Sequence, residues 1–204
     1  TLGKPSPEIH DFFLSQLESR RARPRAQLLF GSRSVEIVYL AAGLAQWDAH
    51  VSGKLSPETE EALRFMFSLQ LPSGTWMVKD CWPPLESSPF HSATIAAMAA
   101  AAAPGWLAGV ATADQLRSVE RLKEYLNSGG AQNDYDQVSL LWAAAKMPAL
   151  VTEEKRRALI DMIFRLQRSD GGWSLRSFSS PEHWGSVKPF AMRRIFKIRR
   201  ATGI

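Results

Sequence analysis

The strongest constraint in this chain is that it repeats itself. Residues 67–76 read FSLQLPSGTW and residues 164–173 read FRLQRSDGGW. At an offset of 97, Phe67/Phe164, Leu69/Leu166, Gln70/Gln167, Gly74/Gly171 and Trp76/Trp173 coincide. Each copy closes an apolar, helix-period segment, turns through glycine and sets a Trp just beyond. A second echo matches Gly3-Lys4-x-Ser6-Pro7-Glu8 to Gly53-Lys54-x-Ser56-Pro57-Glu58. A unit of about 50 residues, or twice that, with two helices each cannot bury its apolar face alone and must stack on its neighbour.

The rest of the chain agrees with helices. Apolar positions recur near every 3.6 residues, and no stretch alternates convincingly as a strand pair. The spacing predicts helices over 7–22, 33–51, 57–70, 91–103, 113–127, 135–147, 152–168 and 189–200. Ser6-Pro7-Glu8 and Ser56-Pro57-Glu58 each supply an N-cap hydroxyl, a proline at the first helical position and an early acid. Thr112 with Gln115 has the pattern of a capping box, and Thr152 precedes two glutamates. Gly53, Pro72 with Gly74, Pro104-Gly105, Gly129-Gly130, Pro148 and Gly171-Gly172 supply the stops. In 57–70 Leu63, Met66, Phe67 and Gln70 share a face; 152–168 shows Leu159, Ile160, Ile163, Phe164 and Leu166. Most of these are expected to be inward faces of packed helices. Within the motif, Gln70 and Gln167 are expected to bond the exposed carbonyls at a helix end or the next turn, with the Trp lying on the Gln.

The motif Q-x-x-x-G-x-W, at Gln70–Trp76 and again at Gln167–Trp173, resembles the repeat signature of squalene–hopene and oxidosqualene cyclases. Residues 79–87 (KDCWPPLES), 91–104 (HSATIAAMAAAAAP) and 134–146 (DYDQVSLLWAAAK) look like the bacterial squalene-cyclase-like proteins of that superfamily. The resemblance spans roughly residues 33–176. It implies an all-α chain built as part of an α/α toroid of antiparallel helical hairpins, a fold shared with protein prenyltransferase β-subunits. It also implies class II cyclisation of a polyprenyl hydrocarbon, an isomerase-type reaction without a cofactor, in a complete protein. About four hairpins are expected here, against six in a closed ring.

Such cyclisation needs a neutral, strongly acidic carboxyl in a dry site, and aromatic faces for the cation that follows. In the cyclases the acid lies in a D-x-D-D motif. Asp134-Tyr135-Asp136-Gln137 is the nearest match, with Asp136 at the proton-donor position, Asp134 at the first Asp and Gln137 at the last. The alternative is that Asp134 and Asp136 simply cap a helix and face water. Trp82, Tyr135, Trp142 and Glu86 are the candidates for lining an apolar isoprenoid site; the plainer reading of the 79–87 loop is that its Trp packs on a helix end. Asp80, Cys81 and His91 are of the right chemical types for zinc, but adjacent Asp and Cys ligate one ion poorly, and no metal is expected. His10, His50 and His183 fall in polar, exposed sequence. A second function class stands beside the enzyme: a non-catalytic helical repeat module binding a protein partner or an apolar ligand.

Charge divides the chain. The 204 residues carry 25 Lys and Arg against 20 Asp and Glu. Six of those cations, Lys188, Arg193, Arg194, Lys197, Arg199 and Arg200, lie in 188–204 with no acid among them. The body is therefore almost neutral, and a nucleic-acid partner, which calls for charge spread over a face, is not expected. We divide the chain into a repeat domain, 1–187, and a basic segment, 188–204. On a helix Met192, Ile195, Phe196 and the stem of Arg199 share one side of that segment. Such a helix can rest on an anionic bilayer as a peripheral contact, or pack on the body with its charges in water. No apolar run is long enough to span a membrane. The single cysteine, Cys81, argues against a disulfide-stapled fold, and a cytoplasmic or membrane-peripheral location is expected. The first residue is Thr1 rather than Met, so a partial chain is expected.

Overall fold

A computed structural model describes residues 5–78 and 88–178 of the chain. Among them there are helices and turns and no strand, as the periodicity requires. The order is α1 (Pro7–Arg21), α2 (Arg25–Leu28), α3 (Arg33–Trp47), a π turn (Asp48–Ser52), α4 (Pro57–Ser68), α5 (Pro89–Ala102), a second π turn (Trp106–Val110), α6 (Ala113–Asn127), α7 (Asp134–Ala144), a 3₁₀ turn (Pro148–Leu150), α8 (Glu153–Arg165) and α9 (Leu175–Phe178). The helix expected over 189–200 lies outside the described residues, as does the whole segment 188–204.

The centre is α5. Twelve of its 14 residues are buried, including Phe90, Ile95, Met98 and a run of alanines. A helix apolar on every side must be enclosed, and small side chains let its neighbours approach closely. It packs against α3, α6 and α7. Helix α3 buries Val35, Ile37, Val38, Leu40, Ala41, Leu44 and Ala45, and carries α1 and α4 on its other sides. Two ion pairs hold α1 in place, Arg20 to Glu36 at 2.5 Å and Arg21 to Glu61 at 3.0 Å.

The expected caps are present at Ser56, Thr112 and Thr152, and Thr112 with Gln115 forms the full capping box. Ser6 differs: its side chain makes no cap bond. Its hydroxyl serves the Glu8 carboxylate instead, which holds that acid below its usual range. Helix α5 starts at Pro89 rather than near 91, because Ser88 is a further Ser-Pro cap whose hydroxyl accepts from the His91 N–H at 2.9 Å.

The start of α4 is fixed by a buried acid. Asp48, 1% exposed at the end of α3, accepts from the Ser56 N–H at 2.6 Å, the Ser56 hydroxyl at 2.8 Å and the Ser52 hydroxyl at 3.1 Å. The last turn of α3 is thereby joined to the first of α4.

Candidate functional site

The two motif copies fold alike, bond for bond. Gln70 donates through Nε2 to the Gly74 carbonyl at 3.0 Å, and Gln167 to the Gly171 carbonyl at 2.6 Å. Trp76 donates through Nε1 to the Met66 carbonyl at 2.9 Å, and Trp173 to the Ile163 carbonyl at 2.8 Å. The turn closes by Leu71 N–H to Thr75 at 2.8 Å, matched by Arg168 N–H to Gly172 at 2.9 Å. Gly74 and Gly171 sit at φ +91° and +81°, a region that favours glycine. The glutamine bonds the following turn, one of the two expected arrangements, and the indole adds a second donor to a helix carbonyl that also accepts from the Leu69 N–H at 3.1 Å in the first copy and the Leu166 N–H at 3.2 Å in the second. Trp76 packs its ring near Phe67, at 6.0 Å and a tilt of 57°.

Only the first copy is built into its neighbour. Gln70 Nε2 also donates to the Ser118 carbonyl on α6 at 3.0 Å, and its Oε1 accepts from Arg121 at 3.1 Å. A Cβ at Gly74 would lie 2.4 Å from the Arg121 carbonyl oxygen, whereas one at Gly171 would meet nothing within 4 Å. The expectation of an inward face on α8 is corrected here. Leu159 is buried, but Ile160 is 38% and Phe164 63% exposed. Among the described residues α8 packs chiefly on α7, so this side has no neighbour of the kind α4 has.

The buried carboxyl of interest is Asp136. Asn133, not Asp136, is the N-cap of α7, accepting from the Asp136 N–H at 2.9 Å. Asp136 falls at the third position and turns inward with Ser139, Leu140 and Ala143, the i, i+3, i+4, i+7 face. It is 0% exposed. Its Oδ1 accepts from the Ser88 hydroxyl at 2.7 Å, and its Oδ2 from the Gln132 N–H at 2.9 Å. The expectation that it caps a helix in open water is thus corrected: it bridges the starts of α5 and α7 from inside. Desolvation pushes its carboxyl above the ordinary range, with the bonds from Ser88 and Gln132 pulling the other way. Burial, and secondarily the Asp136 charge, raise the phenols of Tyr125 and Tyr135.

The remaining candidates divide. Tyr135 is half-buried, its ring 5.2 Å from that of His91, which is itself 3% exposed. Asp134 is exposed at the first position of α7. Trp142 is 56% exposed, seven residues from Tyr135 and so on the same side of α7, away from the Asp136 face. The structure therefore gathers Asp136, Ser88, His91, Tyr135 and Tyr125, and leaves Asp134 and Trp142 outside. Trp82 and Glu86, with Asp80 and Cys81, lie outside the described residues, as does His183. His50 is exposed, whereas His10 stacks on Trp47 at 4.7 Å. Among the described residues no group of three His, Cys, Asp or Glu is placed to hold a metal ion, and no helix is long and apolar enough to cross a membrane.

The chain matches no protein-family model, no curated protein and no solved structure.

Sequence reasoning missed Ser88 and Asp48. Ser88-Pro89 repeats the Ser56-Pro57 signature already recognised as a helix start. Both cap hydroxyls accept from an N–H three residues on and donate to a buried Asp. The Ser-Pro spelling was readable, but the acid that each hydroxyl reaches lies 8 residues away in one case and 48 in the other, beyond any local pattern.

Proposed function

We propose that this chain is a helical repeat domain of the squalene- and terpene-cyclase type, an arc of an α/α toroid, and that it works as a non-catalytic module holding a protein partner or an apolar ligand. The observation that carries this reading is the state of Asp136. A proton donor to an alkene needs one carboxyl oxygen directed at the substrate. Here one oxygen takes the Ser88 hydroxyl and the other the Gln132 amide. Such a carboxylate ties helix ends together. Gln137, in place of the last Asp of the acid motif, and the exposed position of Asp134 point the same way.

One observation favours the catalytic alternative. The Asp136 carboxyl is lifted by burial beside two tyrosines, which is how an acid is kept neutral for use. In that reading Asp136 protonates a polyprene such as squalene, and the proton is regained from water after the final carbocation loses one. The two readings separate in heavy water. Incubation of the chain with detergent-dispersed squalene, followed by mass spectrometry, is expected to return unlabelled, uncyclised substrate. A cyclised product carrying deuterium, lost in Asp136→Asn, would replace the module reading with the enzyme.

A further inference from the structure

In the first motif copy the turn is closed by α6, which offers its Ser118 carbonyl to Gln70 at 3.0 Å and brings the Arg121 carbonyl against Gly74. Phe67 below it is buried, stacked on Trp106 at 5.7 Å. In the second copy nothing among the described residues stands where α6 does. Gln167 bonds only its own turn there, a Cβ at Gly171 would meet nothing within 4 Å, and Ile160, Phe164 and Trp173 are 38%, 63% and 41% exposed. A second helix is uncovered as well. Helices α3, α5 and α7 pack in a row; α1 lies on α3 and α4 at one end of it, and α8 on α7 at the other. Ile9 and Phe12 of α1 are 50% and 58% exposed, whereas Leu17 faces inward. Ser15 and Ser19 continue the exposed side, and their small side chains let another element approach closely along it.

We propose that copies of this chain join head to tail, with α1 of one copy seated on α8 and the Gln167–Trp173 turn of the next, as α6 is seated on α4 and the Gln70–Trp76 turn. Helix order supports it. Each of α4, α6 and α8 packs on one member of the central row, and α1, α4 and α6 touch in turn. Helix α1 also opens with the Gly-Lys-x-Ser-Pro-Glu spelling of α4, so a further α1 placed after α8 continues the series. Charge supports it too. The exposed side of α1 carries Glu8, Asp11 and Glu18, with no Lys or Arg over 7–19. The exposed positions over 157–168 carry Arg157, Arg165 and Arg168 against Asp161. Unlike charges around two apolar centres favour α1 on α8 over α1 on α1. The contact joins different faces, so each added copy leaves one seat and one α1 open, and assembly continues past two copies unless a ring closes. This inference goes beyond the module reading and holds for an enzyme as well.

Sedimentation velocity on the full chain and two single-site variants tests it. Phe12→Glu disables one side of the contact and Phe164→Glu the other. Both positions are exposed, so the fold is kept, which far-UV circular dichroism verifies; Ile9→Glu and Ile160→Glu repeat the pair at a second exposed position on each side. Between about 1 and about 100 μM the wild type is expected to reach a weight-average mass at least twice that of the monomer. Each variant alone is expected to stay monomeric. An equimolar mixture of the two is expected to give dimers and nothing larger, because Phe12→Glu keeps an intact seat and Phe164→Glu an intact α1. Only a contact between unlike faces produces that complementation. A wild type that stays monomeric over the whole range, as when another part of the chain covers the seat, would overturn the proposal. So would either variant associating like the wild type, which a contact between two like faces would give, or a mixture that remains monomeric.

Discussion

Alanine at Gly74 and alanine at Gly171 make a matched experiment, because the two sites share sequence context, hydrogen bonds and backbone conformation. Both substitutions force an L side chain to φ near +90°, which costs about 1–2 kcal/mol at either site. Only Gly74 then meets an obstacle. Its new Cβ would stand 2.4 Å from the Arg121 carbonyl oxygen, 2.9 Å from that carbonyl carbon and 3.2 Å from the Tyr125 Cβ. The obstacle is helix backbone, so no rotamer change relieves it. Moving α6 aside would break the bonds from Gln70 to Ser118 and from Arg121 to Gln70. Overpacking of this kind adds about 1–3 kcal/mol. The expected difference between the variants is about 2 kcal/mol, or roughly 4–8 °C in Tm for a chain of this length. Urea unfolding followed by far-UV circular dichroism, with equal slopes, measures it. Equal losses at the two glycines would refute the idea that the first motif is locked to α6 and the second is not.

Other perturbations have equally definite outcomes. Asp48→Ala leaves the Ser56 amide and hydroxyl without their buried acceptor and is expected to cost about 2–4 kcal/mol in urea unfolding, as two or more donors lose a charged partner. Trp76→Phe removes the indole bond to the Met66 carbonyl, which keeps its bond from the Leu69 N–H, and leaves a gap in the core, about 1–3 kcal/mol, whereas Trp173→Phe at its exposed site costs under about 1 kcal/mol. Asp136 has a sign that can be worked out. Its folded value is raised above 3.8, so the native state holds the proton more tightly than the unfolded chain. Its stabilising contribution is full below the unfolded value and is lost as pH rises through the folded one. The stability of the wild type relative to Asp136→Asn is therefore expected to fall as pH rises from about 4, and a flat or rising difference would contradict the burial argument.

The local features were the legible ones. The caps at Ser56, Thr112 and Thr152 depend on neighbours three residues away, and the motif turns depend on a glycine and a ring within ten residues. Periodicity found the apolar side of α8 as readily as that of α4, because both spell the same pattern. It could not tell that Phe67 meets Trp106 while Phe164 meets water, since burial is a property of the partner. The same limit applied to Asp136. An acid at the third position of a helix reads as a cap, and its actual partner, Ser88, is 48 residues away. What made Asp136 inward is its register with Ser139, Leu140 and Ala143, a cue present in the sequence but outweighed by the habit of acids to sit at helix starts.

The tie from Asp136 to Ser88 also bears on the nine positions between Val78 and Ser88. One side of that interval is moored by Trp76, whose indole is bonded to α4, and the other by Ser88, bonded to α7. The two flanks of this stretch are thus tied to different helices, Trp76 to α4 and Ser88 to α7, so the Asp136–Ser88 bond carries the start of α5 as well as the start of α7.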